Sequence, residues 1–145
     1  MHDVPRVFVT RKIPAAGLEK IEAVASCEVW PDRMPPSPKV LAEKSSGCAG
    51  VLTLLSDRVD ADFFDAVGPQ LKVVSNFAVG YNNIDVAEAT KRGIVVGNTP
   101  DVLTDATADI AVALMLAAGR CLREGLENVV RNEWQTWEPM EFIGQ

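Results

Sequence analysis

Between Leu71 and Arg120 short apolar runs alternate with helix-patterned segments, each bounded by a glycine, a proline or an aspartate, and this restricts the available folds more than any other stretch. Leu71 to Val74 is a short, partly β-branched apolar run of the kind buried in a parallel sheet. A loop holding Gly80 follows it. Asp85 is placed to cap a helix and Gly93 to end one, after which Ile94 to Val96 forms the next apolar run. Pro100 closes a second loop, and a long apolar helix starts near Thr104. Strands that alternate with helices at this spacing require right-handed crossovers and a parallel sheet with helices on both faces. Ligands of such sheets bind in the loops at the carboxyl ends of the strands.

The remaining elements fit the same plan. Arg6 to Thr10 reads as a first strand, and Ile13-Pro14 opens a helix carrying Leu18, Ile21 and Val24 on one face. Cys27 to Trp30 is a second strand. Pro31, Pro35, Pro36 and Pro38 exclude regular structure in the loop behind it, while Ser37 and Pro38 pair as cap and first turn of a helix to about Ser46. Val51 to Leu55 is a third strand, Ser56 to Val59 its loop, and Asp60 caps a helix through Val67 that stops at Gly68-Pro69. The expected architecture is α/β, a flavodoxin-like doubly wound parallel five-stranded sheet of order 2-1-3-4-5 with a C-terminal helix and an arm.

With 145 residues the chain has room for one core and an extension. Residues 1–100 are expected to form the sheet domain and 101–145 a helix and connector, because beyond Leu122 the charges Glu124, Glu127, Arg131 and Glu133 break up a segment too short for its own core. A net charge of -6 argues against nucleic acid as a partner, since phosphate neutralisation needs basic surface. The apolar run Ala106 to Ala118 contains Asp109 and is shorter than the ~20 residues of a membrane span. Cys27, Cys48 and Cys121 are widely spaced and odd in number, and Val7 is reached without a signal region, so a cytoplasmic location is expected.

Several residues carry candidate chemistry. In Phe77-Ala78-Val79-Gly80-Tyr81, backbone N–H groups around a glycine suit a carboxylate, although Gly80 read alone equally fits a tight strand-to-helix turn. Leu55 and Ser56 end the third strand on the same sheet edge, where a ligand held at Gly80 can touch them; Leu55 alone also fits a core residue leaving its strand. Asp57 could suggest the phosphoacceptor of a signalling receiver domain, but such domains need an acidic pair after the first strand and Thr10-Arg11-Lys12 stands there. Thr104 lies at the start of the long helix and reads first as its cap. Ala106, Ala108, Ala111, Ala113, Ala117 and Ala118 give that helix several small faces, and a helix apolar nearly all round is buried on all sides. None of the ten glycines falls in a G-x-G-x-x-G pattern, so the chain lacks a dinucleotide cradle. Its one histidine is His2.

Three motifs together carry a family resemblance: Val79-Gly80-Tyr81-Asn82-Asn83-Ile84-Asp85, Gly93-Ile94-Val95-Val96-Gly97-Asn98-Thr99-Pro100, and Asp101-Val102-Leu103-Thr104-Asp105-Ala106-Thr107-Ala108-Asp109. They closely resemble the D-isomer-specific 2-hydroxyacid dehydrogenases and, within them, the glyoxylate/hydroxypyruvate reductase branch, over Val7 to about Phe142. The resemblance implies the substrate-binding portion of an NAD(P)-dependent oxidoreductase reducing small 2-oxo acids to D-2-hydroxy acids. It implies that N–H groups of Val79 and Gly80 hold the substrate carboxylate, that Leu55 lines the pocket beside Ser56, and that Thr104 contacts the cofactor near its nicotinamide end. Relatives acting on an inorganic oxyanion, the phosphite dehydrogenases, place a Lys where Val79 stands, so Val79 favours a 2-oxo acid. The family's Arg, its Glu or Asp and its His general acid match no position here, so no catalytic residue is assigned, and NAD(P)H is expected of the full-length enzyme rather than bound tightly by this chain. The long helix bridges two domains in the family, which implies that part of its surface is uncovered in this chain.

Trp134 and Trp137 stand three positions apart, and an aromatic arm beyond a core marks an interface. In the resembled reductases this arm embraces a second subunit, and the tryptophan matching Trp137 reaches the partner's pocket, so a homodimer is expected. Two other readings remain open on the sequence: a free-standing flavodoxin-like binding or regulatory module, and a purely structural dimerisation fragment. A reading frame that continues into a strand, glycine loop and helix separates the first of these from the enzyme.

Overall fold

The computed structural model describes residues 4–133. Five strands, β1 (Arg6–Val9), β2 (Ser26–Val29), β3 (Gly50–Thr53), β4 (Val73–Asn76) and β5 (Val95–Gly97), form one parallel sheet in the order β2-β1-β3-β4-β5. The flavodoxin-like doubly wound order expected from the alternation is therefore the observed one. The helices are α1 (Ala15–Glu22), α2 (Pro38–Ser45), α3 (Ala61–Val67), α4 (Val86–Lys91), α5 (Thr104–Gly119) and α6 (Leu122–Val130). The chain divides into two units, Met1–Asp101 and Val102–Gln145.

Local chemistry sets the helix starts in the first unit. Ser37 accepts from the Val40 N–H with Pro38 in the first turn, Asp60 accepts from Phe63 N–H, and Asp85 from Glu88 N–H. Each side chain satisfies a donor that has no partner within the first helical turn. Gly93 follows α4 at φ 69°, a left-handed conformation that a residue with a Cβ adopts reluctantly, and it turns the chain into β5.

Alternate residues of the strands feed two cores. Phe8, Val51 and Val74 face α2, α3 and α4 and pack with Leu41, Phe63, Phe64 and Val67, whereas Val9 and Leu52 face α1 with Ile13. Phe8, Val9 and Val74 are wholly buried, so the centre of the sheet is dry on both faces. The Cys48 thiol lies in the first core, and burial, the largest cause, pushes its pKa up and leaves it a poor nucleophile.

Element boundaries depart from the sequence expectations in ways that have physical causes. The fourth strand is shifted by two residues, to Val73–Asn76, because the Leu71 N–H turns back to the Gly68 carbonyl while its side chain drops into the core, and pairing with β3 carries the strand on through Ser75 and Asn76. The third strand stops at Thr53 rather than Leu55, since the Leu54 N–H goes to the Asp57 carboxylate instead of a neighbouring strand. Val24 lies beyond the end of α1 and is 71% exposed, so it does not share the partly buried stripe of Leu18 and Ile21. Thr104 is not a cap: Leu103 occupies that position, and Thr104 is the first residue of α5.

In the second unit the chain enters α6 through Cys121, held at φ 49°. Leu122 to Val130, expected to be connector, is a helix, joined by the Arg123–Glu127 and Arg131–Glu127 ion pairs. Helix α5 is not buried on all sides in this chain, with Ile110 61%, Val112 51% and Leu114 64% exposed. A cylinder apolar nearly all round needs neighbours on every side, and α6 can cover one of them. Among the described residues no helix is long and apolar enough to cross a membrane. Trp134 and Trp137, with the arm they mark, lie outside the described residues, as does His2.

Candidate functional site

A row of polar side chains, wholly buried, marks the carboxyl edge of the sheet: Thr10 after β1, Thr53 at the end of β3 and Asn76 at the end of β4. Buried polar groups persist only when hydrogen-bonded, and each of these is. Thr53 and Asn76 are direct cross-strand neighbours, and the Thr53 hydroxyl donates to Asn76 Oδ1 at 2.9 Å. Thr10 Oγ1 donates to the Asp57 carboxylate.

Asn76 organises the loop that follows it. Its Nδ2 donates to the Gly80 carbonyl at 2.8 Å and to Asn83 Oδ1 at 3.1 Å. Asn98 Nδ2 donates to the Val79 carbonyl at 2.8 Å, and Thr99 N–H to the Ala78 carbonyl at 2.9 Å. Three successive carbonyls of the loop are thus tied down. A trans peptide is planar, with its N–H directed opposite its C=O, so these bonds aim the N–H groups of Val79, Gly80 and Tyr81 away from the residues that hold the carbonyls. Among the described residues no protein acceptor takes those three N–H groups. Gly80 itself is not in the left-handed region, which removes the tight-turn explanation for a glycine at this position.

The turn after β3 lies against this loop. A Cβ built on Gly80 would meet Leu55 Cδ2 at 3.7 Å, which puts the 61% exposed Leu55 side chain at van der Waals distance from the glycine. Asn83 ties turn to loop by donating from one amide to the carbonyls of Leu54, at 3.1 Å, and Asp57, at 2.9 Å. Ser56 is exposed and its Oγ accepts from Arg11 Nη2 at 2.8 Å. The structure therefore brings Leu55, Val79 and Gly80 together, with Ser56 on the same turn as Leu55. Thr104 belongs to the second unit, at the amino end of α5. Trp137 lies outside the described residues.

The sequence reading missed Asn76, Asn83, Asn98, Thr53 and the role of Asp57. Asp57 is buried at 2% exposure and accepts from Leu54 N–H at 2.8 Å, from Thr10 and from Arg11 at 3.5 Å. A carboxylate so enclosed cannot be an exposed phosphoacceptor. Polar residues that close apolar strands immediately before a glycine loop were the available signal, as in Ser75-Asn76 before Gly80.

What the edge can do chemically follows from its donors. Three directed backbone N–H groups beside one apolar side chain suit a small anion attached to a small apolar or carbonyl-bearing group. No lysine or arginine is needed, and Arg11, which donates to Ser56 on the adjoining turn, is already paired with Asp57. Residues that could cradle a dinucleotide are a separate matter. None of the ten glycines falls in a G-x-G-x-x-G pattern, and the donors described at the loop fit a carboxylate rather than a pyrophosphate.

The sequence model for "D-isomer specific 2-hydroxyacid dehydrogenase, catalytic domain" matches residues 7–141. The chain belongs to this family. It is 50% identical over 141 residues to a glyoxylate reductase of Korarchaeum cryptofilum, and 45% identical over 141 residues to the human glyoxylate reductase/hydroxypyruvate reductase. These alignments cover 97% and 96% of the chain but 42% and 43% of the relatives, so the chain spans less than half the length of the curated relatives it matches. Among solved structures, it superimposes on the NADPH-dependent glyoxylate/hydroxypyruvate reductase of Sinorhizobium meliloti, in complex with NADP and malonate, with a TM-score of 0.75 and 29% identity. That comparison covers 99% of this chain and 44% of the other. The segments that form the sheet, the glycine loop and the helix that follows them in the sequence thus fall within one continuous match, residues 7–141.

Proposed function

We propose that this chain is the substrate-binding portion of an NAD(P)-dependent oxidoreductase that reduces small 2-oxo acids, glyoxylate or hydroxypyruvate, to D-2-hydroxy acids. The observation that carries the reading is the set of aimed N–H groups at Val79, Gly80 and Tyr81 beside Leu55. The names of the relatives, glyoxylate reductases at 45% to 50% identity, support the substrate class. A bound malonate in the Sinorhizobium meliloti protein shows that a relative of similar fold takes a small carboxylate.

In this proposal the Val79 and Gly80 N–H groups hold the carboxylate, Leu55 packs against the short carbon skeleton, and Ser56 contributes a hydroxyl at the rim. Thr104 is proposed as a cofactor contact and Trp137 as a residue reaching the pocket of a second subunit in a homodimer. Dinucleotide cradle and proton donor are not among the residues present, so this chain binds and orients. With glyoxylate or hydroxypyruvate and NADH or NADPH, the chain by itself is expected to show no turnover above a purified blank.

Competition tests the carboxylate reading. Saturation-transfer NMR of glyoxylate bound to the chain should lose signal on adding oxalate and keep it on adding oxamide, the uncharged analogue of the same shape. A binding constant in the millimolar range is expected, roughly, because a small anion meets few contacts. Equal displacement by the two compounds, or no saturation of glyoxylate at all, would defeat the proposal.

A further inference from the structure

We propose that Asn98 and Asn76 are positioning residues for carboxylate binding, an amide clamp that fixes the direction of the loop N–H groups from behind; this rests on the carboxylate reading above. The orientation of the two amides is not arbitrary. A backbone carbonyl can only accept, so the group facing the Val79 carbonyl at 2.8 Å and the group facing the Gly80 carbonyl at 2.8 Å must each be an NH2. Asn76 is fixed further by its other end, where Oδ1 accepts from the Thr53 hydroxyl at 2.9 Å and from Asn83 Nδ2 at 3.4 Å. With both ends satisfied and its exposure at 0%, the Asn76 amide has one orientation open to it.

The consequence lies on the opposite side of each peptide. Holding the Val79 carbonyl sets the Gly80 N–H, and holding the Gly80 carbonyl sets the Tyr81 N–H, because the peptide between them is rigid. Free loop peptides rotate, and a donor that must be reoriented on binding loses part of its interaction to that ordering. The clamp removes this loss before the ligand arrives. Asn83 extends the same logic to the facing wall, since its amide holds the Leu54 and Asp57 carbonyls and so sets Leu55 relative to the loop. None of these asparagines needs to touch the ligand.

The test uses the chain itself, with oxalate as probe, and two substitutions made at a distance from the ligand. Asn98→Ala removes the donor to Val79 and Thr53→Val removes the hydroxyl that orients Asn76, with Thr53→Ser as the conservative control. Each of the first two is expected to weaken oxalate binding about three- to tenfold, the loss of one well-placed hydrogen bond's worth of order. In Asn98→Ala without ligand, the residual dipolar coupling of the Gly80 N–H should change while those of β1 and β3 do not; changes spread over β1 and β3 would mark a general loosening of the fold and overturn the clamp. Thr53→Ser should bind as the wild type does. If wild type binds oxalate at the loop and both variants bind equally well, the clamp is wrong and the carboxylate reading survives. If wild type gives no oxalate response at Val79 and Gly80, the underlying reading fails and the clamp with it. Should Asn98→Ala not fold, the Thr53 pair decides by the same criteria.

Discussion

Asp57→Ala is expected to destabilise the first unit by about 3–5 kcal/mol, the range for removing one partner of a buried ion pair. The Asp57 side chain has no exposure and that of Arg11 has 10%. Alanine would leave the Arg11 guanidinium buried without a counter-charge and strand the Thr10 hydroxyl and the Leu54 N–H, which the carboxylate now accepts. The contrast is an exposed pair such as Lys39–Glu43, with side chains 85% and 62% exposed, which is worth about 0–1 kcal/mol. Urea denaturation checks both: the midpoint should fall far for Asp57→Ala and barely move for Lys39→Ala. A loss below about 1 kcal/mol for Asp57→Ala would mean that water reaches the pair and that the burial described is wrong.

Gly80→Ala should separate binding from folding. Its backbone is outside the left-handed region and a Cβ would meet Leu55 Cδ2 at an ordinary 3.7 Å, so the fold accepts a methyl there. Replacing glycine at a compatible position reduces the freedom of the unfolded chain, and stability should hold or rise by about 0.4–1 kcal/mol. The same methyl sits next to the Gly80 N–H and in front of Leu55, where the proposal puts the carboxylate. Oxalate binding is therefore expected to weaken about tenfold, or 1.4 kcal/mol. A variant that binds normally would show that the carboxylate does not sit against Gly80; one that fails to fold would overturn the backbone reading.

Much of this fold was legible because its punctuation is local. Ser37, Asp60, Asp85 and Gly93 act within a few residues of themselves, and each does what the sequence expects of it. Strand ends were less legible because long-range partners set them: Asn76 continues β4 by pairing with Thr53, 23 positions earlier, and Leu54 leaves β3 for Asp57. Apolar pattern alone therefore placed the fourth strand at Leu71, a core residue in a turn. The loop N–H groups could be anticipated from Gly80 and the motif around it. What aims them could not, since Asn76, Asn83, Asn98 and Thr99 converge only after the sheet forms. Helix α6 was less legible because Glu124 and Glu127 interrupt its apolar pattern, although Leu122, Leu126 and Val129 keep the helical spacing.

Amide NMR of the 145-residue chain under titration with oxalate tests the carboxylate site most directly. The Val79, Gly80 and Tyr81 cross-peaks should move first and saturate together, with Leu55 following as the neighbouring wall. Shifts confined to Arg6, Arg11 and Lys12, with the glycine loop unmoved, would show binding to positive charge alone and would contradict the account.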